Sequence, residues 1–291
     1  MRAHVVRLFP LLAVAAVALV SAAAQPQAQP AGAVEKRLIL LGGAPRPRVM
    51  WQKFSTFAGD AQARALALPW ASGDPEGTIA INRRELEGIR PESFLEMAPL
   101  APLDAAAKKK LLEQLARANA ILIMGGDQNR FLDVINDHPD VKAAIKARYE
   151  AGVVVAANDG GAISVGEIAV TGEEDPTIVD GDQVGVRPGL GLLPRAIIDT
   201  QFVRRQRYNR MLGVLIKNPD KVVLGIGSGT AFVLRNGCAG EVIGSNNSGT
   251  NIAVVMRTLN AVRPERPGRV DMLLFRPGNT FDCEGIFGES R

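Results

Sequence analysis

Residues 153–163, Val153-Val154-Val155-Ala156-Ala157-Asn158-Asp159-Gly160-Gly161-Ala162-Ile163, constrain this chain more than any other stretch. A β-branched run breaks abruptly into a small polar turn, then resumes as small apolar residues suited to a helix. That is the outline of a strand–elbow–helix, the sharp turn that lifts a nucleophile above the sheet in many α/β enzymes. Small residues beside the apex suit it, because a tight, strained turn leaves little room for side chains. The apex itself is Asp159, where such a turn ordinarily carries serine or cysteine. Whether that carboxylate attacks, binds or has lost its role is the functional question the sequence poses.

The rest of the chain supplies a sheet for such an elbow. Strand-like apolar segments at 37–41, 63–68, 93–97, 121–124 and 153–157 alternate with helical patterns at 49–58, 77–89, 104–118, 129–135 and 141–150. Trp51, Phe54 and Phe57 fall on one helical face, and Asp104 can cap the helix that follows it. This alternation predicts an α/β fold: a mostly parallel, three-layer sheet with helices on both faces. Ligands of such sheets lie beyond the carboxyl ends of the strands, so Gly42-Gly43, Gly125-Gly126-Asp127-Gln128 and 158–161 should converge. Beyond 167 the character changes. Residues 167–194 are rich in Gly, Pro and Asp and read as a long loop or hairpin. A short strand at 196–199 and a helix at 204–217 follow. Short segments at 222–226, 230–234, 241–243, 252–255 and 270–275 then read as an antiparallel extension of the sheet towards the C-terminus.

At the other end, residues 1–24 have the plan of an export signal. Arg2 and Arg7 precede an apolar core at 8–20 that is short for a membrane span, and Ala22-Ala23-Ala24 offers a cleavage site. Residues 25–34 form a Pro/Gln/Ala-rich linker, and 35–291 one large α/β domain, expected to be secreted or periplasmic without stable membrane insertion after cleavage. The formal charge of +4 falls to +2 once Arg2 and Arg7 are removed, so the basic balance does not call for a nucleic-acid partner. Lys108-Lys109-Lys110 is the only basic run and reads as a solvated helix face. After export, Cys238 and Cys283 could form one disulfide; neither stands in a metal-ligand or redox spacing. No metal and no cofactor are expected.

The turn segments, taken together, resemble the cyanophycinase family of serine peptidases, whose fold is akin to class I glutamine amidotransferases. Gly42-Gly43 and Pro69-Trp70-Ala71-Ser72 look like its first strand ends. Gly125-Gly126-Asp127-Gln128 matches a Gly-Gly-Asp-Gln signature, and 153–163 matches an elbow written Gly-Thr-Ser-Ala-Gly-Ala. Ile198-Asp199-Thr200-Gln201-Phe202, trailed by Arg205, Arg207 and Arg210, is similar to Asp-Gln-His-Phe with its arginines. Gly225-Ile226-Gly227-Ser228-Gly229-Thr230-Ala231 resembles Gly-Ile-Asp-Glu-x-Thr-Ala. The resemblance puts the family's nucleophilic serine on Asp159, its histidine on Gln201, the adjacent glutamine on Thr200, and an acidic pair on Gly227-Ser228. It implies substrate-binding roles for Asp127, Gln128, Asp199, Arg205, Arg207 and Arg210.

A serine mechanism needs a base within reach of the hydroxyl. Only two histidines are present; His4 leaves with the signal, and His138 lies between two helices and reads as a surface loop residue. Ser164 falls inside the elbow helix and reads as packing; Ser228 has no evident base. Asp159 could act as a carboxylate nucleophile, but the resulting ester would need an activated water and Gln201 cannot supply the base. Asp127, Asp159 and Asp199 at strand ends could together hold a cation or a cationic group, or Asp127 and Asp199 could accept backbone N–H groups at turns. Arg207 and Arg210, three apart, should share a helical face and suit a carboxylate ligand. Two functions stay open. One is the hydrolysis of peptide or β-aspartyl isopeptide bonds that the resemblance implies, in a copy whose substitutions point to catalytic degeneracy. The alternative is non-catalytic binding of a small peptide, amino acid or cation in the same cleft. A homodimer is compatible with either.

Overall fold

The computed structural model describes residues 34–172, 177–245, 249–261, 263 and 268–288. The export signal and nearly all of the linker expected before the domain therefore lie outside the described residues. The chain opens with β1 (Arg37–Leu41), α1 (Arg48–Ala58), β2 (Ala65–Leu68), α2 (Pro75–Glu85), β3 (Leu95–Met97), α3 (Ala105–Arg117) and β4 (Ala120–Ile123). α4 (Gln128–Asp137), α5 (Pro139–Glu150), β5 (Val154–Asn158) and the four-residue α6 (Gly160–Ile163) complete the first half. The hairpin β6 (Ile168–Thr171) and β7 (Gly185–Pro188) then leads to β8 (Ala196–Thr200) and α7 (Tyr208–Lys217). Last come β9 (Val222–Ile226), β10 (Thr230–Arg235), β11 (Ala239–Gly244), β12 (Ala253–Asn260), β13 (Arg269–Phe275), β14 (Thr280–Phe281) and α8 (Cys283–Phe287).

The fold is α/β with helices on both faces of a mainly parallel sheet, but the described strands form two sheets. The first runs β14-β11-β10-β1-β5-β4-β2-β3; β1, β5, β4, β2 and β3 are mutually parallel, and β10, β11 and β14 extend that run antiparallel. The second runs β13-β12-β9-β8-β6-β7. The reading of one extended sheet is corrected here: β9 pairs parallel to β8, and β12 and β13 continue from β9, all apart from the first sheet. Strand-length apolar runs carry no information on which neighbour they pair with, so sequence pattern could not separate the two.

Alternation along the strands explains the layers. Ile39, Leu41, Ala67, Leu122 and Val154 face a core shared with Trp51, Phe54 and Phe57 of α1 and Ile79 of α2. Leu38, Leu40, Leu68, Ile123 and Val155 face the opposite core, built with α3, α4, α5, α7 and the second sheet. Each fully buried valine, leucine or isoleucine among them is worth about 1.5–3 kcal/mol over exposure. A one-residue slip would turn every one of them to the wrong side, so register is strongly specified.

Local chemistry sets the element ends. Asp104 caps α3 through the Ala107 N–H at 2.7 Å, and Lys109 and Lys110 are exposed on that helix while Lys108 pairs with Asp140 at 3.0 Å. α2 starts at Pro75 rather than 77, because Asp74 accepts the Gly77 N–H at 3.0 Å and proline suits a first helical turn. β3 is shorter than the expected 93–97, its start taken up by a 3-10 turn at Glu92–Phe94. The helix expected from 204 begins only at Tyr208: residues 201–207 form turns in which Gln201 and Gln206 both have positive φ, 50° and 52°. Cys238, in the β10–β11 turn, forms a disulfide with Cys283 at the start of α8. Among the described residues no helix is long and apolar enough to cross a membrane.

Candidate active site

The parallel strands end where the sequence motifs fall. β5 ends at Asn158, and Asp159 follows with φ 49° and ψ −124°, a backbone conformation that non-glycine residues rarely occupy. Its N–H donates to the Leu41 carbonyl at 3.0 Å, and its own carbonyl accepts from Ala162 and Ile163 as α6 begins. The chain therefore does turn through a strained elbow with a carboxylate at its apex. The turn after β4 braces it. A side chain on Gly160 would collide with the Gly126 carbonyl, and Gly126 has φ 140° with the Ala71 carbonyl against it. Only glycine satisfies both positions, which is why the two turns can lie in backbone contact.

A cleft of about 460 Å³ opens over this elbow, lined by Asp127, Gln128 and Asn129 from the start of α4, Asp159 and Ile163, Gly172, and Thr200, Gln201, Arg205 and Arg207 after β8. Gly42 reaches the same place, since its carbonyl accepts the Gln201 N–H at 3.0 Å. The three loops expected to converge do so.

The Asp159 side chain is held by its neighbours. Oδ1 accepts from Thr200 Oγ1 at 3.1 Å and from Gln201 Nε2 at 2.9 Å. Gln201 Oε1 in turn accepts from Arg205 Nε at 3.3 Å. Side chains at 159 and 201 are thus in direct contact, at hydrogen-bond range, as a carboxylate and a carboxamide. Gln128 donates its amide to the Val170 carbonyl at 3.2 Å, and Asp127 Oδ1 accepts the Asn129 N–H at 2.8 Å as the cap of α4. Asp127 therefore combines the turn role considered for it with a place on the cleft wall.

Two residues expected in the cleft do not line it. Asp199 is fully buried, and Arg210 is 5% exposed. Asp199 Oδ1 and Oδ2 accept from Arg210 Nη2 and Nε, each at 2.9 Å, while Oδ1 also accepts the Thr200 N–H at 2.8 Å. Arg207 Nη1 stands 3.7 Å from the same carboxylate. Burial pushes the Asp199 carboxyl above the ordinary carboxylate range, against the pull of Arg210 and Arg207. Arg207 caps α7 rather than lying within it, yet it and Arg210 face the same side, where the carboxylate they meet is Asp199. Strand alternation explains the division: Asp199 and Thr200 are adjacent on β8 and must point to opposite faces. Thr200 takes the cleft face and Asp199 the interior, where Arg210 can follow it.

Thr200 as a partner of Asp159, and Asn129, Ile163 and Gly172 as lining residues, were not read as site residues. For Thr200 the alternation just described was the available signal; Gly172 carried none. His138 lies apart from this cleft, beside a separate cavity of about 450 Å³ with Trp70 and Arg130. Ser164 is buried, its Oγ bonded to the Gly160 carbonyl at 3.0 Å, and Ser228 is buried in the β9–β10 turn. Among the described residues no cluster of histidine, cysteine and carboxylate side chains could hold a metal ion.

Known proteins resemble this chain in sequence and in fold. A cyanophycinase from a Nostoc species is 26% identical over 221 residues, covering 74% of this chain and 73% of the relative. A cyanophycinase from Geminocystis herdmanii is 28% identical over 218 residues, covering 71% of this chain and 77% of the relative. The crystal structure of a peptidase from an acI-B1 actinobacterium superposes with a TM-score of 0.61 at 15% identity, covering 86% of this chain and 98% of that one, a likeness of fold. Residues 38–242 match the model of peptidase family S51, a span that takes in the elbow, the turn after β4 and the Asp199–Gln201 strand end. The chain belongs to peptidase family S51.

Proposed function

We propose that this chain is a member of the peptidase family that has kept its ligand cleft and lost hydrolysis, and that it binds a small peptide or amino acid. The contact between Asp159 and Gln201 carries the reading. In a serine peptidase those two positions hold a hydroxyl and the base that takes its proton, and the pair acts as a unit. Here a carboxylate accepts a hydrogen bond from a carboxamide, which has no basic nitrogen. An ester formed on Asp159 would find no base in Gln201, the side chain its oxygen touches, to activate water. The remaining cleft chemistry favours binding: Asp127 and Asp159 bring negative charge, Arg205 and Arg207 positive charge, and Gln128 a fixed amide.

Rebuilding the missing unit tests this. The native protein and Asp159→Ser alone should both fail to cleave β-aspartyl dipeptides, since losing one member of such a unit costs nearly as much as losing both. Asp159→Ser with Gln201→His should regain slow turnover, because position 201 already reaches position 159. A serine-directed phosphonate should label the double variant and leave the native chain untouched. Steady turnover by the native chain that disappears in Asp159→Asn would overturn the reading.

A further inference from the structure

The two oxygens of Asp159 are not equivalent. Oδ1 carries both the Thr200 and the Gln201 hydrogen bonds, whereas Oδ2 accepts from none of the described residues, on a side chain that lines the cleft. Its immediate neighbours repeat the pattern. Gln128 commits its amide nitrogen to Val170, so its acceptor Oε1 remains, and Asp127 commits Oδ1 to capping, so its Oδ2 remains. This wall of the cleft thus offers side-chain acceptors and a fixed negative charge at the point where a peptidase would present a hydroxyl to a carbonyl carbon. An amide oxygen brought to that point would meet charge of the wrong sign. An ammonium would find a charge partner at Asp159 and further acceptors on the same wall.

Resting on the reading of the cleft as a binding site, we infer that its ligand carries a primary ammonium seated on Asp159 Oδ2, with its carboxylate towards the exposed Arg205 on the cleft wall. The substrate class is therefore an unblocked amino acid or short peptide, and not an amide presented for attack. Such a molecule is what a peptide or isopeptide hydrolase releases, so the reaction supplying it is hydrolysis carried out by another protein. The same substitution that removes the nucleophile thus changes which end of a cleaved bond the elbow recognises.

Isothermal titration of the whole protein with β-aspartyl-leucine, its N-acetyl form and its leucine amide tests the assignment. The unblocked dipeptide should bind, and acetylation should weaken binding by about tenfold or more, as expected for loss of one charge-assisted contact. Asp159→Asn should remove most of that discrimination, and Arg205→Gln should narrow the difference between the acid and the amide. Affinity should also fall as the pH rises past about 8, where an α-amino group loses its proton; this readout needs no variant. Equal affinity for the free and acetylated dipeptides overturns the ammonium assignment while leaving the cleft a binding site. No binding of any of the three overturns both.

Discussion

Asp199 and Arg210 are the residues whose contribution is easiest to isolate. A fully buried carboxylate bonded twice to one guanidinium is balanced by that charge, so removing the carboxylate leaves the buried Arg210 charge with less to offset it. Asp199→Asn should cost about 3–5 kcal/mol in urea unfolding, and Asp199→Leu with Arg210→Met should recover most of it. A loss of under about 1 kcal/mol, the scale of exposed ion pairs, would show that the pair does not brace the cleft floor. Thr200 links that pair to the site, since its N–H bonds Asp199 and its hydroxyl bonds Asp159. Rigidity beneath the apex therefore reaches the one Asp159 carboxylate oxygen that Thr200 engages.

At the scale of elements, the elbow and the turn after β4 stand or fall together. α6 has only four residues, too few to be stable alone, and it is held by contact with the backbone of the neighbouring turn. Gly160→Ala would drive a methyl into the Gly126 carbonyl, and relief requires one of the two turns to move. Overpacking of that kind typically costs about 1–3 kcal/mol. The expected outcome is a lowered thermal midpoint together with loss of ligand binding, read by calorimetry on the same preparation. Unchanged binding in Gly160→Ala would mean that the cleft does not depend on this close approach. The delayed start of α7 belongs to the same scale. By turning through 201–207 before the helix begins, the chain places Gln201, Arg205 and Arg207 on the cleft lining.

For the whole molecule, the C-terminal segment is fastened by chemistry as much as by packing. The Cys238–Cys283 bond ties α8 to the β10–β11 turn across 45 residues of sequence, and Phe232, Phe275 and Phe281 pack edge to face beside it. Cross-linking a loop of that length removes conformational freedom from the unfolded chain, worth about 2–4 kcal/mol. Reduction with dithiothreitol, or Cys238→Ser with Cys283→Ser, should lower the unfolding free energy from urea titration by that amount and leave ligand binding intact, because the bond lies away from the cleft. Loss of binding on reduction would instead tie the C-terminal segment to the site.

Much of this could be read before any coordinates. The alternation of apolar runs with helical patterns in the first 160 residues, the turn residues after β1 and β4, and the small residues around Asp159 implied a parallel sheet with an elbow and converging loops. Those features depend on neighbours along the chain, and local sequence reports them well. Three things depended on partners distant in sequence. The division into two sheets rests on β9 pairing with β8 rather than with the first sheet. Asp199 left the cleft because Arg210, eleven residues later, was placed to neutralise it in the interior. Asp159 was visible as an apex, but the engagement of one oxygen by Thr200 and Gln201 arises from a strand end that the sequence puts more than forty residues away. Residue types and local turns were legible in the sequence because they follow from short-range sterics and periodicity; only the tertiary structure, through long-range pairing and burial, decided which charges meet each other in the interior and which line the cleft.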